Sequence, residues 1–156
     1  MPQITFVVPG KPFGQPRKQV RVLPGGKPQH YTPKTKAGNY QQRVSDAAWE
    51  AKNKAGRFGS KPVAELMWSQ PTSGPVSLTV IATYLLPTSK ERKRSRPGRS
   101  PMVSRNRDDL DRLLNAVMDG LSGVVYLDDG QVWKATVEQW VGAQGAAPGL
   151  EVTASW

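Results

Sequence analysis

The clearest pattern in the chain is the alternation in residues 75–86, PVSLTVIATYLL. Val76, Leu78, Val80, Ala82 and Tyr84 are separated there by Ser77, Thr79, Ile81 and Thr83. A two-residue period sends the first set to one face of a strand and the second to the other. One face is wholly apolar and the other half polar, which predicts a sheet covered by helices on one side. Three more strands are expected. Residues 3–8, QITFVV, alternate and then run apolar up to Pro9-Gly10. Residues 131–141, QVWKATVEQWV, alternate with a mixed apolar side, and Leu150, Val152 and Ala154 mark a last strand antiparallel to them. Gly25-Gly26 predicts a short hairpin between QVRVL and QHYT.

Two segments carry the helical period instead. In 37–54, Tyr40, Val44, Ala47, Ala48 and Ala51 form an apolar stripe, Trp49 lies off it, and Gly56 is the stop. In 108–121, Leu110, Leu113, Leu114, Val117 and Leu121 form the buried face, with Asp108 or Asp109 at the N-cap position. Residues 57–74 read as a connection. The order β, basic loop, α, β, basic loop, α, β, β predicts an α+β fold. One mixed sheet would carry two main helices packed mainly on one face, in a single domain spanning 1–156.

Composition then narrows the chemistry. With no cysteine, disulfides and thiolate metal sites are excluded, and the lone His30 rules out multi-histidine zinc sites. No apolar run approaches the roughly 18 residues of a membrane span, so no membrane is expected as partner. The strand close to Met1 leaves no room for a signal peptide, and a cytoplasmic protein is expected. The net charge of +10 points to a polyanion, with nucleic acid first and an anionic membrane second. From Lys11 to Lys36 there are seven cations and no acid. Residues 88–104 hold Lys90, Arg92, Lys93, Arg94, Arg96 and Arg99 against Glu91 alone. They predict a mobile basic loop that orders on a bound polyanion. Lys11, Arg17, Lys18, Arg21, Arg105 and Arg107 are the candidate DNA phosphate contacts. A solvated loop that only aids solubility is the plain alternative.

Against this basic background, Arg105–Gln131 holds Asp108, Asp109, Asp111, Asp119, Asp128 and Asp129, half of the twelve acidic residues. Crowded carboxylates repel, and a divalent cation relieves that repulsion. Asp109 and Asp111 stand two apart where a helix begins, so both side chains can reach one point. Three or four carboxylates, from Asp109, Asp111, Asp128 and Asp129, would bind Mg2+ and leave positions for water and phosphate oxygens. Such an ion supports phosphodiester hydrolysis. Asp119 reads as a supporting acid paired with a nearby Arg. The plain alternatives are a helix cap at Asp108 or Asp109 and a turn at Asp128-Asp129-Gly130. A basic RNA-binding protein is a further reading, but it leaves the acidic cluster unexplained.

The spacing Asp109-Leu110-Asp111-x-Leu113, Asp119-Gly120-Leu121 and Leu127-Asp128-Asp129-x-Gln131-Val132 resembles the RusA family of Holliday-junction resolvases. ITFVVPGKP, the basic PRKQVR and a Tyr-containing segment before a helix match in the same order. The resemblance implies a small, often prophage-encoded, homodimeric endonuclease of DNA recombination and repair, in a bacterial or phage-infected cell. It would depend on Mg2+, with Mn2+ substituting, and act on branched DNA such as the four-way junction. It also implies that Asp109, Asp111 and Asp129 are the catalytic metal-binding carboxylates. Two positions depart from the family pattern. Arg112 stands where the family has Asn after the second Asp, and Asn115 stands where it has a Lys. Arg112 or Lys134 is then the candidate replacement charge. A relative that binds branched DNA with weak or no cleavage is the alternative function.

Overall fold

The strand predicted from residues 75–86 lies at the centre of the sheet. The computed structural model describes residues 2–15, 19–22, 24, 28–31, 36–56, 70–85, 100–101, 109–143 and 145–156. In chain order the elements are β1 (Gln3–Pro9), β2 (Gln19–Val22), β3 (Pro28–Tyr31), α1 (Lys36–Gly56), β4 (Val76–Tyr84), β5 (Ser100–Pro101), α2 (Leu110–Leu121), β6 (Val132–Val141) and β7 (Gly149–Ser155). A short 3-10 turn, Asp129–Gln131, leads into β6. The main sheet has the order β1-β7-β4-β6-β5, and β2 and β3 form the separate hairpin expected around Gly25-Gly26. Among the described strands, only β4 and β6 pair in parallel. A parallel pair needs a long crossover, and α2 lies within it.

The last strand runs opposite to β6, as expected, but pairs elsewhere. It inserts between β1 and β4. The register explains this. Leu150, Val152 and Ala154 align with Val8, Phe6 and Ile4 on one side and with Ala82, Val80 and Leu78 on the other. These nine side chains are all buried. A strand set between two apolar neighbours removes more apolar surface from water than one paired with β6, whose first residues are exposed. The opposite face is more polar, and there the hydroxyls of Thr5 and Thr153 meet at 3.0 Å.

Both helices contribute to one core with the apolar sheet face. The α1 stripe holds as predicted, with Tyr40, Val44 and Ala48 buried. The buried arc of α2 is shifted from the predicted one. Leu113, Val117 and Leu121 are buried together with Ala116 and Gly120, whereas Leu110 is 48% exposed. Gly120 is the reason. A Cβ there would lie 2.9 Å from the Gln41 carbonyl oxygen and 3.0 Å from the Val44 side chain. α1 crosses α2 at this glycine, and the arc centres on it. Gly120→Ala is therefore expected to destabilise the fold, although alanine gains about 1 kcal/mol of helix propensity over glycine. Overpacking against a backbone oxygen costs about 1–3 kcal/mol and outweighs that gain. A raised urea midpoint in this variant would show that the crossing can relax.

Asp108, Arg17, Lys18, Arg105 and Arg107 lie outside the described residues, as do residues 57–69. Arg21 is on β2, where the backbone alone is described. Of the basic segment 88–104, Ser100–Pro101 is described and pairs with Val141 and Trp140 at the sheet edge.

Candidate active site

The acids divide between the start of α2 and the turn that follows it. Asp109 is the N-cap residue, in extended backbone (φ −64°, ψ 149°). Its carbonyl oxygen accepts from Arg112 N and Leu113 N, both at 3.1 Å. Its carboxylate makes no capping hydrogen bond. It faces the Arg112 guanidinium at 3.5 Å instead. Asp109 is 60% exposed, so this pair contributes at most about 1 kcal/mol and leaves the carboxylate accessible. Asp111 lies in the first turn and is exposed, where the partial positive charge of the helix N-terminus favours an anion. Asn115, one turn further, is also exposed.

At the other end of α2 the chain turns tightly. The Leu121 carbonyl accepts from Val124 N and Val125 N at 3.0 and 2.9 Å. Met118 O accepts from the Tyr126 hydroxyl at 2.8 Å and from Ser122 N at 3.1 Å. Burial, and then the charges of Asp129 and Asp119, push the Tyr126 phenol well above its ordinary pKa, so it stays protonated and donates.

Asp128 and Asp129 are neighbours with different work. Asp128 caps the 3-10 turn, its Oδ1 accepting from Gly130 N at 2.8 Å. The Gln131 side chain closes the box. Its Oε1 accepts from Leu127 N and Asp128 N at 2.9 Å each. Its Nε2 donates to the carbonyls of Thr72 and Gly74, also at 2.9 Å each. The turn is thereby tied to the segment before β4, and Asp129 is presented to solvent from a fixed backbone. The plain reading of Asp128 as a turn residue describes its geometry. The carboxylates of Asp129 and Asp111 have no hydrogen-bonded partner among the described residues.

Asp119 was expected to pair with an arginine. Among the described residues its carboxylate accepts instead from the side-chain amides of Gln15 and Gln41, the latter at 3.1 Å. The Gln15 backbone N also donates to Arg112 O at 3.1 Å. Asp119-Gly120-Leu121 thus works as a unit. The acid fastens α2 to α1 and to the chain after β1, the glycine permits close approach, and the leucine fills the core.

A residue that sequence reasoning passed over is Lys52, the next step of the α1 series 40, 44, 48. It is 3% exposed. Its ammonium donates to Gln70 O at 2.9 Å and Val124 O at 2.6 Å. Burial lowers its pKa. The +4 spacing is visible in the sequence, but a lysine at such a position ordinarily marks a solvated face. Lys52 holds the chain after α2 at Val124, and Gln131 ties the turn that carries Asp129 to the segment before β4. Lys11, a candidate phosphate contact, is exposed and lies over the Phe13 ring at 5.3 Å from its centroid.

Among the described residues of one copy, no three acidic or histidine side chains gather closely enough to hold a metal ion. The layout gives the reason. Asp111 lies in the first turn of α2, whereas Asp129 belongs to the 3-10 turn that follows the far end of that helix. No helix among the described residues is long and apolar enough to cross a membrane.

No curated protein matches the chain closely enough to refine this picture. The family model of endodeoxyribonuclease RusA matches residues 9–154. That span takes in both acid-bearing ends of α2, the Gln131 clamp, all of β4, β5 and β6 and most of β7, and the chain belongs to the RusA endodeoxyribonuclease family.

Proposed function

We propose that this chain is a Mg2+-dependent nuclease that resolves four-way DNA junctions by paired nicks, acting as a homodimer. The observation that carries the reading is a pair of carboxylates, Asp111 and Asp129, held on anchored backbone and left without a hydrogen-bonded partner among the described residues. They occur in a chain of net charge +10. Uncompensated acid in a basic protein is a place for a cation, and the basic surface is a place for the phosphates around it.

Within one copy, no three acidic side chains among the described residues gather closely enough to hold an ion, a mismatch with metal–oxygen bonds of roughly 2 Å. A two-fold dimer relieves the mismatch, because it can set the α2 start of one subunit against the Asp129 turn of the other. Asp109 and Asp111 would then hold the ion with Asp129 of the partner subunit. When bound, the ion lowers the pKa of an attacking water and stabilises charge on the phosphorus. Arg112 holds Asp109 in place, and Lys134 supplies a positive charge on β6 close to the acid turn. Lys11, Arg17, Lys18, Arg21, Arg105 and Arg107 would position the phosphates without reading sequence.

The test is a synthetic four-way junction incubated with protein and Mg2+, beside a linear duplex of the same arms. The expected outcome is symmetric nicks in the junction alone, lost in EDTA and regained in Mn2+. Tight junction binding without nicks in either metal would favour the binding-only alternative, which the exposed Asn115 in place of the family Lys makes specific.

A further inference from the structure

We propose that Trp133 is a stacking platform for a nucleobase released from its stack at the junction branch point. The inference rests on the nuclease reading above and assigns a contact to a residue outside the acidic motif.

Trp133 is 70% exposed, the most exposed of the large hydrophobic residues described. The sheet register explains how it comes to be so. Val76 aligns with Val132, but Ser77 aligns with Lys134, so Trp133 is the extra residue of a β-bulge. Beyond it, Ala135 and Val137 fall opposite the inward-facing Leu78 and Val80. The bulge lets Val137 pack against the core opposite Val80, while Ala135 stays exposed, and it leaves Trp133 without a partner in the β4 register. Bulges beside active sites characteristically re-aim a side chain in this way.

Position and charge point to the occupant. Trp133 lies four residues beyond Asp129, across one 3-10 turn and the first step of β6. Their Cα atoms are therefore separated by roughly 10 Å at most. That is the span of a few nucleotides of one strand at 3.4 Å each. A base on the indole would lie close to a phosphate at Asp129. Lys134 shares the bulge and is exposed, as are Ala135 and Thr136. An aromatic face with a cation beside it, in a strongly basic chain, fits a nucleobase and its phosphate. A contact between protein copies would instead favour uncharged neighbours. The platform is also rigid, because the two Gln131 bonds to the Thr72 and Gly74 carbonyls hold the chain two residues away. Trp49, 63% exposed on α1, has no bulge and no acid turn beside it, and serves as the control.

The experiment measures binding in EDTA at fixed salt. It compares wild-type protein, Trp133→Ala, Trp133→Phe and Trp49→Ala on a four-way junction with 2-aminopurine beside the branch point and on a linear duplex. Base–aromatic stacking predicts that Trp133→Ala weakens junction binding about tenfold. Duplex binding should be unchanged, Trp133→Phe should keep most of the junction affinity, and Trp49→Ala should behave as wild type. The 2-aminopurine emission should change on binding wild-type protein and not on binding Trp133→Ala. An equal loss on junction and duplex, or identical emission with both proteins, overturns the proposal. So does a Trp133→Ala variant that shifts the monomer–dimer equilibrium in sedimentation, which would make the indole a subunit contact. Wild-type protein that binds junction and duplex equally overturns the nuclease reading itself, a result distinct from any effect of Trp133.

Discussion

Replacing Asp111 by Asn is expected to abolish junction nicking while leaving junction binding and the fold intact. Asp111 is exposed and in the first turn of α2. Asn keeps its shape and removes the charge that an ion would need. Losing one group that stabilises a charged transition state costs on the order of 10³-fold in rate. That corresponds to about 4 kcal/mol of barrier. The fold has little to lose, because no hydrogen bond to another described residue depends on this carboxylate. Binding is carried by the basic surface and should survive. Asp129→Asn should behave alike.

Mixing the two variants separates a site built within one subunit from one shared between two. In a shared arrangement, a dimer of one Asp111→Asn chain and one Asp129→Asn chain has one ruined site and one intact site. Random reassortment makes about half the dimers mixed, so about a quarter of the wild-type sites should be restored. Gel-resolved single nicks in the co-refolded mixture would show this. No recovery at all would mean that each subunit holds its ion alone, by moving the Asp129 turn toward the start of α2.

Lys52→Met is the second large effect, and it acts on stability. The change keeps the stem and deletes the ammonium. Two opposing terms decide the sign. Removing a buried charge relieves a desolvation cost, and replacing a whole buried ion network by apolar residues is often neutral or stabilising. Here only the donor is removed. The carbonyls of Gln70 and Val124 stay where they are, each without its Lys52 hydrogen bond. Each abandoned acceptor costs about 1–3 kcal/mol, and a net loss of about 2–3 kcal/mol is expected.

The pH dependence carries its own sign. Burial lowers the Lys52 pKa in the folded protein. Between that lowered value and the unfolded value near 10.4, the unfolded chain binds more protons, so the contribution of Lys52 to stability rises with pH. Urea midpoints of wild type and Lys52→Met should therefore draw further apart from pH 7 to pH 10. A gap that narrows would mean that the charge itself, rather than hydrogen donation to the two carbonyls, stabilises the turn. Because the chain held at Val124 leads directly to the Asp129 turn, the variant should also lose nicking rate at temperatures where it remains folded.

Much of this was legible along the chain, and the parts that were not share a cause. β4 could be read from alternation alone, because a strand with one covered face must alternate. The start of α2 was marked by Asp109 and the turn by Asp128-Asp129-Gly130, because caps and turns are local chemistry. Asp111 and Asp129 were identifiable as candidates because carboxylates so close in sequence are unusual in a basic chain.

What the sequence could not place were pairings between distant segments. The last strand could be recognised from Leu150, Val152 and Ala154, but its insertion between β1 and β4 depends on which neighbours offer apolar side chains in register. The exposure of Leu110 depends on Gly120 meeting Gln41. The roles of Lys52 and Gln131 depend on carbonyls that only the folded chain brings to them.

Strands, helices and candidate acids thus follow from the order of residues, since each rests on periodicity or charge within a short stretch. The tertiary structure alone decided that Asp128 caps a turn while Asp129 faces solvent. It also decided that no three acidic side chains gather at one point among the described residues of one copy, because where Asp111 and the Asp129 turn end up depends on how α2 packs against the core.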